Sequence, residues 1–218
     1  MSIYPLKSGW KVLDIGANRG EWTREAVRLG CTVVACEPIA KYRQSILDAG
    51  AAIVLPVAVS DIQDKITLNV GADDRFSSVH AEWVKEADSV FGWNQDVRQY
   101  DVDTIRLDRI IAVYGEFDFI KIDVEGSEPS VIRSLGEHRP KRMSLEYHGG
   151  KCLLQSMNNS TYEALELLGS DYMYRIAAES RYWASDWLEV DEVRDFLPAL
   201  DWGDFELRRK DIFADEQP

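Results

Sequence analysis

At 218 residues, 45% of them hydrophobic, the chain is long enough to bury a full core and reads as one domain spanning 1–218. Its 25 lysines and arginines stand against 38 aspartates and glutamates, a formal net charge of −13 with no basic stripe, which argues against a nucleic-acid substrate. The longest apolar run, 51–59, is interrupted by Pro56, the start lacks a signal-peptide pattern, and three sparse cysteines form no Cys-x-x-Cys pair, so no transmembrane segment and a reducing, cytoplasmic location are expected.

The first strand is expected over 11–15. It ends in Asp14-Ile15-Gly16-Ala17-Asn18-Arg19-Gly20, and a helix pattern over 21–29 follows, stopped by Gly30. Such a strand, glycine turn and helix present bare backbone and the N–H groups of a helix start to a ligand. Only Gly16 and Gly20 are available, so this is not the Gly-x-Gly-x-x-Gly dinucleotide fingerprint. Asp14, just ahead of the first glycine, suits a ligand with a positive amino group. S-adenosylmethionine carries that group and a sulfonium as well.

A strand over 32–37, a helix over 40–48 ended by Gly50, and a strand over 52–59 come next. Short apolar strands alternating with helices imply a parallel sheet with helices on both faces, joined by right-handed crossovers. An extra strand is expected over 65–70. The segment 71–101 reads as irregular, with Phe76, Ser77, Ser78, Trp83, Phe91, Trp93 and many acids, and is expected to form a lid. Strand patterns at 102–107 and 118–123, a helix over 128–135 ended by Gly136, and a strand over 142–147 follow. A helix over 158–168 ended by Gly169 and strands over 172–176 and 205–210 complete the reading, with a frayed tail at 214–218.

Ligands of open α/β sheets bind outside the carboxyl ends of the strands. That rule places Asp14, Glu37, Ser60, Asp61, Asp123 and His148 along one rim. Glu37 is suited to accept hydrogen bonds from both hydroxyls of a ribose. Asp61 either meets an adenine amino group or is an ordinary turn aspartate. The run Asp123-Val124-Glu125-Gly126-Ser127-Glu128 crowds three carboxylates, which calls for a sulfonium, a metal ion or a substrate amine nearby. A helix start explains Glu128 alone.

With these residues in place, the chain resembles the FkbM family of S-adenosylmethionine-dependent methyltransferases. The matching segments are VLDIGANRG at 12–20, CEP at 36–38, AVSD at 58–61, SS at 77–78, VDTIRLD at 102–108, DFIKIDVEGSE at 118–128 and SLEYH at 144–148. The likeness runs over 10–150; residues 151–218 match no family pattern and are expected to complete the sheet and the acceptor site. The resemblance implies an α/β, Rossmann-like class I methyltransferase fold, with a mostly parallel seven-stranded sheet and helices on both faces. It implies hydroxyl acceptors on sugars and polyketides. It also implies cofactor roles for Asp14, Gly16, Asn18, Gly20, Glu37 and Asp61, with Ala17, Pro38 and Ser60 filling the same turns, and places Asp123 beside the transferring methyl.

A sugar hydroxyl is a poor nucleophile at neutral pH, so it must be held close and lose its proton as the bond forms. His148 has a suitable intrinsic pKa for the base, and Glu125 and Asp123 compete with it. A divalent metal is the other route, with Asp123, Glu125 and Glu146 as oxygen ligands suited to magnesium or manganese. Glu146 and His148, two apart on a strand, share a face. Trp83, Trp93, Tyr100, Tyr182, Trp183, Trp187 and Trp202 fall outside the sheet pattern. As a group they suit stacking on a sugar, although core or lid packing is the commoner role for any single one. The expected activity is methylation of a hydroxyl on a sugar or glycoconjugate, with a small-molecule or glycan acceptor. The alternatives are a nicotinamide-dependent oxidoreductase, which shares the strand-end acid, and a non-catalytic module that binds the cofactor as a scaffold.

Overall fold

A computed structural model describes residues 5–93, 97–154, 157–178, 182–183 and 185–215. The chain begins with β1 (Lys11–Ile15), α1 (Glu21–Arg28) and β2 (Thr32–Cys36). After a single turn at Ala40–Tyr42 come α2 (Arg43–Asp48), β3 (Ile53–Leu55), β4 (Ala58–Val59) and β5 (Lys65–Val70). Next are α3 (Ala81–Val90), β6 (Arg98–Ile105), α4 (Leu107–Tyr114), β7 (Phe119–Ile122), α5 (Glu128–Arg133) and β8 (Arg142–His148). The last part holds α6 (Asn158–Leu168), β9 (Tyr172–Ala178), β10 (Tyr182–Trp183), α7 (Val190–Phe196), β11 (Trp202–Arg209) and α8 (Lys210–Asp215).

Among the described residues the main sheet has eight strands in the order β3-β2-β1-β7-β8-β11-β9-β10. Pairings from β3 to β8 are parallel, and those from β8 through β11 and β9 to β10 are antiparallel. The expected seven strands are therefore present, with the two-residue β10 added at the edge. A second sheet, β4-β6-β5, lies apart. Among the described residues no helix is long and apolar enough to cross a membrane.

Strand alternation divides the sheet into two unlike faces. Leu13, Ile15, Ile120, Ile122, Met143, Leu145, Phe205 and Leu207 point into the main core, against Ile110 of α4, Val131 of α5, Leu165 of α6 and Val193 of α7. On the opposite face Val12, Val33 and Phe119 meet Ala26 and Trp22 of α1. Farther along that face a polar row replaces the apolar one: Asp14, Lys121, Ser144, Glu206 and Arg175 are successive cross-strand neighbours. Buried Glu206 takes Arg208 on one oxygen at 3.0 Å and faces Arg175 at 3.9 Å with the other, which has no hydrogen-bond partner among the described residues.

The sequence reading is corrected most in four places. The strand expected over 52–59 splits, because Pro56 has no N–H to continue a ladder; β3 stays in the main sheet and β4 joins the small one. The segment 71–101 is not irregular: it holds α3 and the start of β6. Trp83, Val84 and Ala87 of α3 are buried against Cys152, Leu154 and Met157, so this part is a packed amphipathic helix. The strand pattern at 102–107 stops at Ile105, and α4 follows from Leu107. The last strand begins earlier, at Trp202, and Lys210 opens α8.

Candidate functional site

The carboxyl ends of β1, β2 and β7 open into a cleft of about 990 Å³. Of the expected site residues, Gly16, Ala17, Asn18, Glu37, Pro38, Ser60, Asp61, Asp123, Glu125 and Glu146 line it; Asp14, Gly20 and His148 do not. Gly16 sits at φ 81°, and a Cβ there would occupy the position of the Asp123 carbonyl oxygen. The N–H groups of Gly16 and Ala17 both donate to the Cys36 carbonyl at 3.1 Å. The first turn is thereby locked between β2 and the end of β7, leaving a bare backbone cradle on the cleft side.

Glu37 is 6% exposed. One of its carboxylate oxygens accepts the Asn18 N–H at 2.8 Å and the other the Ile39 N–H at 2.7 Å. Each oxygen keeps a lone pair for a further donor. Burial pushes the Glu37 pKa up to about 7, against the pull of those two backbone bonds. At the other side of this half, Asp61 takes the Ser130 hydroxyl and the Arg133 guanidinium, the latter at 2.7 Å. Burial raises its pKa, but Ser130 and Arg133 outweigh it and hold the carboxyl below its usual range. Ser60 Oγ lies 2.9 Å from Ser130 Oγ, so α5 braces both residues.

Asp14 is a correction. It is fully buried behind the turn, accepts from Thr23 Oγ1 at 2.6 Å, and faces Lys121 Nζ at 3.7 Å. The positive group facing Asp14 is Lys121 of this chain, and Asp14 Oδ1 has no hydrogen-bond partner among the described residues. Gly20 is a second correction. It faces α2, where a Cβ would stand 3.0 Å from Ile46 Cα, and so it serves helix packing.

The far end of the cleft is acidic. Lys121 is 7% exposed and pairs with Asp123 at 2.9 Å. Burial favours its neutral form, but Asp123 and Asp14 outweigh burial and keep it charged. Glu125 has a left-handed backbone, φ 51°, an uncommon state for a residue with a side chain. Two clamps hold it there. Ser78 Oγ donates to its carbonyl at 2.7 Å, while Glu128 accepts the N–H groups of its neighbours Val124 and Gly126 at 3.1 and 3.3 Å. Ser160 Oγ in turn donates to Glu128 at 3.2 Å. Burial pushes the Glu128 pKa up to about 7.

Glu125 and Glu146 both have pKa values well above the carboxylate range, first through burial and then through the neighbouring acids. One ligand atom from each of Glu125, Glu146 and His148 lies within 4.8 Å of the other two. Glu146 Oε2 is a buried atom without a hydrogen-bond partner. Asp204 lies directly across from Glu146 in the β8–β11 register and also lines the cleft.

His148 is the third correction. It is 5% exposed, its ring packs edge-on against Trp83 at 5.2 Å, and its backbone N–H donates to Thr161. Burial lowers its pKa to about 4. It is therefore neutral throughout the range in which a free imidazole titrates, and it stands beside the cleft rather than in it. Trp83 is likewise buried core, and Trp93 stacks on Phe91 at 4.8 Å. Trp202, 41% exposed, is the one of the seven aromatics considered above that lines the cleft; the side chains of Tyr182 and Trp183 lie outside the described residues.

A family model described as the methyltransferase FkbM domain matches residues 14–201. The chain belongs to the FkbM methyltransferase family. The match extends beyond 150, so most of the C-terminal part is also family sequence. This FkbM-family chain is a methyltransferase dependent on S-adenosylmethionine, and the oxidoreductase reading is set aside. No curated protein matches its sequence. Among solved structures it is similar to a fibrillarin pre-rRNA processing protein from Methanococcus jannaschii, at TM-score 0.47 and 14% identity over 95% of this chain and 70% of that one. A precorrin-6y C5,15-methyltransferase from Geobacter metallireducens gives TM-score 0.44 and 13% identity over 94% and 82%. A TehB-like SAM-dependent methyltransferase from Corynebacterium glutamicum gives 0.45 and 8% over 93% and 82%.

Sequence reasoning missed Lys121, Asp204 and the clamp residues Ser78 and Ser160. Lys121 had a signal: it stands two residues before Asp123 on an otherwise apolar strand, so both point to one side. Ser78 stands in the matching segment at 77–78 but had no role assigned there, and Asp204 and Ser160 come from distant segments and left no local mark.

Proposed function

We propose that this methyltransferase acts on a hydroxyl of a sugar or glycoconjugate, bound where Asp123, Glu125 and Glu146 line the cleft. The observation that carries the reading is Glu125: a carboxylate on the cleft wall, clamped in a left-handed turn, with no hydrogen-bond donor to its side chain among the described residues. A general base must be free to receive the proton and fixed in place, and Glu125 meets both conditions. Lys121 holds Asp123 beside it.

The cradle at Gly16 and the paired oxygens of Glu37 fit S-adenosylmethionine. Gly16, Ala17 and Asn18 would border it, Glu37 and Pro38 would meet the ribose, and Ser60 with Asp61 the adenine. When bound, the cofactor supplies a methyl on a positively charged sulfur. The acid-lined end would face that charge. Trp202 offers a platform for a sugar face. A wall this acidic suits a neutral polyhydroxyl better than a polyphosphate, which supports excluding nucleic acid as acceptor. All three cysteines are buried free thiols, which supports a cytoplasmic setting.

The test is a panel of neutral saccharides, phosphorylated sugars and oligonucleotides incubated with enzyme and cofactor. Mass spectrometry should find one added methyl on neutral saccharides. Methylation confined to oligonucleotides would overturn the reading.

Two further results are expected at Glu37. Glu37→Ala should weaken binding of S-adenosylhomocysteine ten- to hundredfold, about 1.5–3 kcal/mol, by calorimetry. Unchanged affinity would remove Glu37 from the ribose. Product affinity should also rise as pH rises through about 7, because the ionised carboxylate accepts both hydroxyls. Stability of the unliganded protein should move the other way. A folded-state pKa raised above the unfolded one gives stability that is full at low pH and is lost as pH climbs to about 7. Glu37→Gln should flatten both trends. A product affinity independent of pH in the unaltered enzyme would contradict the assignment.

A further inference from the structure

We propose that Glu125, Glu146 and His148 form a binding site for one divalent transition-metal ion of the manganese class, open toward the acceptor. The site deepens the hydroxyl-methylation reading and rests on it only for the purpose of the ion.

The ligands come from two elements that the fold holds in register. Glu146 and His148 are two apart on β8 and therefore share a face. Glu125 arrives from the turn after β7, held by Ser78 and by Glu128. Their ligand atoms lie within 4.8 Å of one another. Ligands at about 2.0–2.2 Å from an ion stand up to about 4 Å apart, so a small closing movement completes the shell.

One atom of this cluster is buried without a partner, and the ring beside it makes no hydrogen bond among the described residues. The His148 ring is 5% exposed, and among the described residues nothing hydrogen-bonds to it; its ring contact is the edge of Trp83. Glu146 Oε2 is buried and equally without a partner. A buried carboxylate oxygen left unpaired is costly, and a cation taking a lone pair from it and from the neighbouring imidazole removes that cost. Asp123, an expected ligand on sequence grounds, is committed to Lys121 at 2.9 Å, and His148 takes its place.

The donor set selects the ion. Two carboxylates with one imidazole suit manganese, cobalt or zinc, whereas magnesium favours oxygen alone. Glu125 and Glu146 line the cleft, so the remaining coordination positions face it and are available to hydroxyls of the acceptor. A carboxylate bound through one oxygen keeps the other toward that hydroxyl; the ion lowers the basicity of Glu125 and, in compensation, the pKa of a hydroxyl bound to it.

The experiment uses the full chain, stripped with chelator and dialysed, and titrated with manganese chloride while the free-ion paramagnetic resonance signal is followed. One manganese should bind per chain, more tightly than magnesium in competition. His148→Ala and Glu146→Gln should each weaken it at least tenfold, while both variants retain affinity for S-adenosylhomocysteine and so remain folded. Absence of stoichiometric binding, or equal binding in both variants, overturns the site. Methyl transfer is read separately: full activity in chelator with no ion bound sinks the metal site and leaves the hydroxyl reading standing. Manganese binding without methylation of any hydroxyl acceptor does the reverse.

Discussion

Glu125→Gln is expected to lower kcat by about 10²–10⁴, some 3–5 kcal/mol of barrier, with affinity for S-adenosylhomocysteine unchanged. Glutamine preserves the shape of the side chain and the left-handed turn at φ 51°, but it cannot take a proton. The clamps that hold the turn bind the backbone around residue 125, through the Glu125 carbonyl and the Val124 and Gly126 N–H groups, so they survive the change. KM for the acceptor should therefore move much less than kcat. A variant retaining more than about a third of the activity would take the proton-accepting role away from Glu125 and leave Asp123 as the next candidate. His148→Ala gives a contrasting pattern: its loss should act through the ion, and added manganese at high concentration should restore part of the rate.

The second large effect is expected at Gly16. Gly16→Ala places a Cβ on the Asp123 carbonyl oxygen in a residue at φ 81°. The left-handed conformation alone costs about 1–2 kcal/mol, and forcing the two strand ends apart adds about 1–3. A total of about 2–5 kcal/mol corresponds to a fall in Tm of roughly 4–20 °C in a chain of this size. Gly9→Ala is the control, because Gly9 has φ 85° with no atom within 4 Å of where its new methyl would stand, and it carries only the conformational cost. Calorimetric melting should place Gly16→Ala clearly below Gly9→Ala, and product binding should be lost in the first and kept in the second. Equal melting temperatures would mean that the β1 turn and the end of β7 are not locked as described.

Much of this arrangement was legible in the sequence, and the reasons are local. Glycines that end helices, apolar strands with period two, and acids at strand ends are all short-range signals. They placed β1, β2, β7, β8 and α6 and put Glu37, Ser60, Asp61 and Asp123 on one rim. The failures were of two kinds. Where two elements meet without a turn, the pattern ran on: Leu107 continues the apolar rhythm of β6 while starting α4, and the acids of 81–90 hid the buried stripe Trp83, Val84 and Ala87. The other failures were partnerships between distant residues. Asp14 meets Lys121 more than a hundred residues later, and no local rule distinguishes that partner from a ligand's amine. His148 has a suitable pKa in isolation, but Trp83 and the surrounding core bury it. Glu146 and Asp204 face each other only through the antiparallel register of β8 and β11.

The most direct measurement is a crystal structure of the full chain with S-adenosylhomocysteine. The account predicts the ribose hydroxyls on the two oxygens of Glu37, the adenine toward Ser60 and Asp61, and the sulfur at the end lined by Asp123, Glu125 and Glu146. A product bound with its sulfur away from those acids, or outside this cleft, would contradict it.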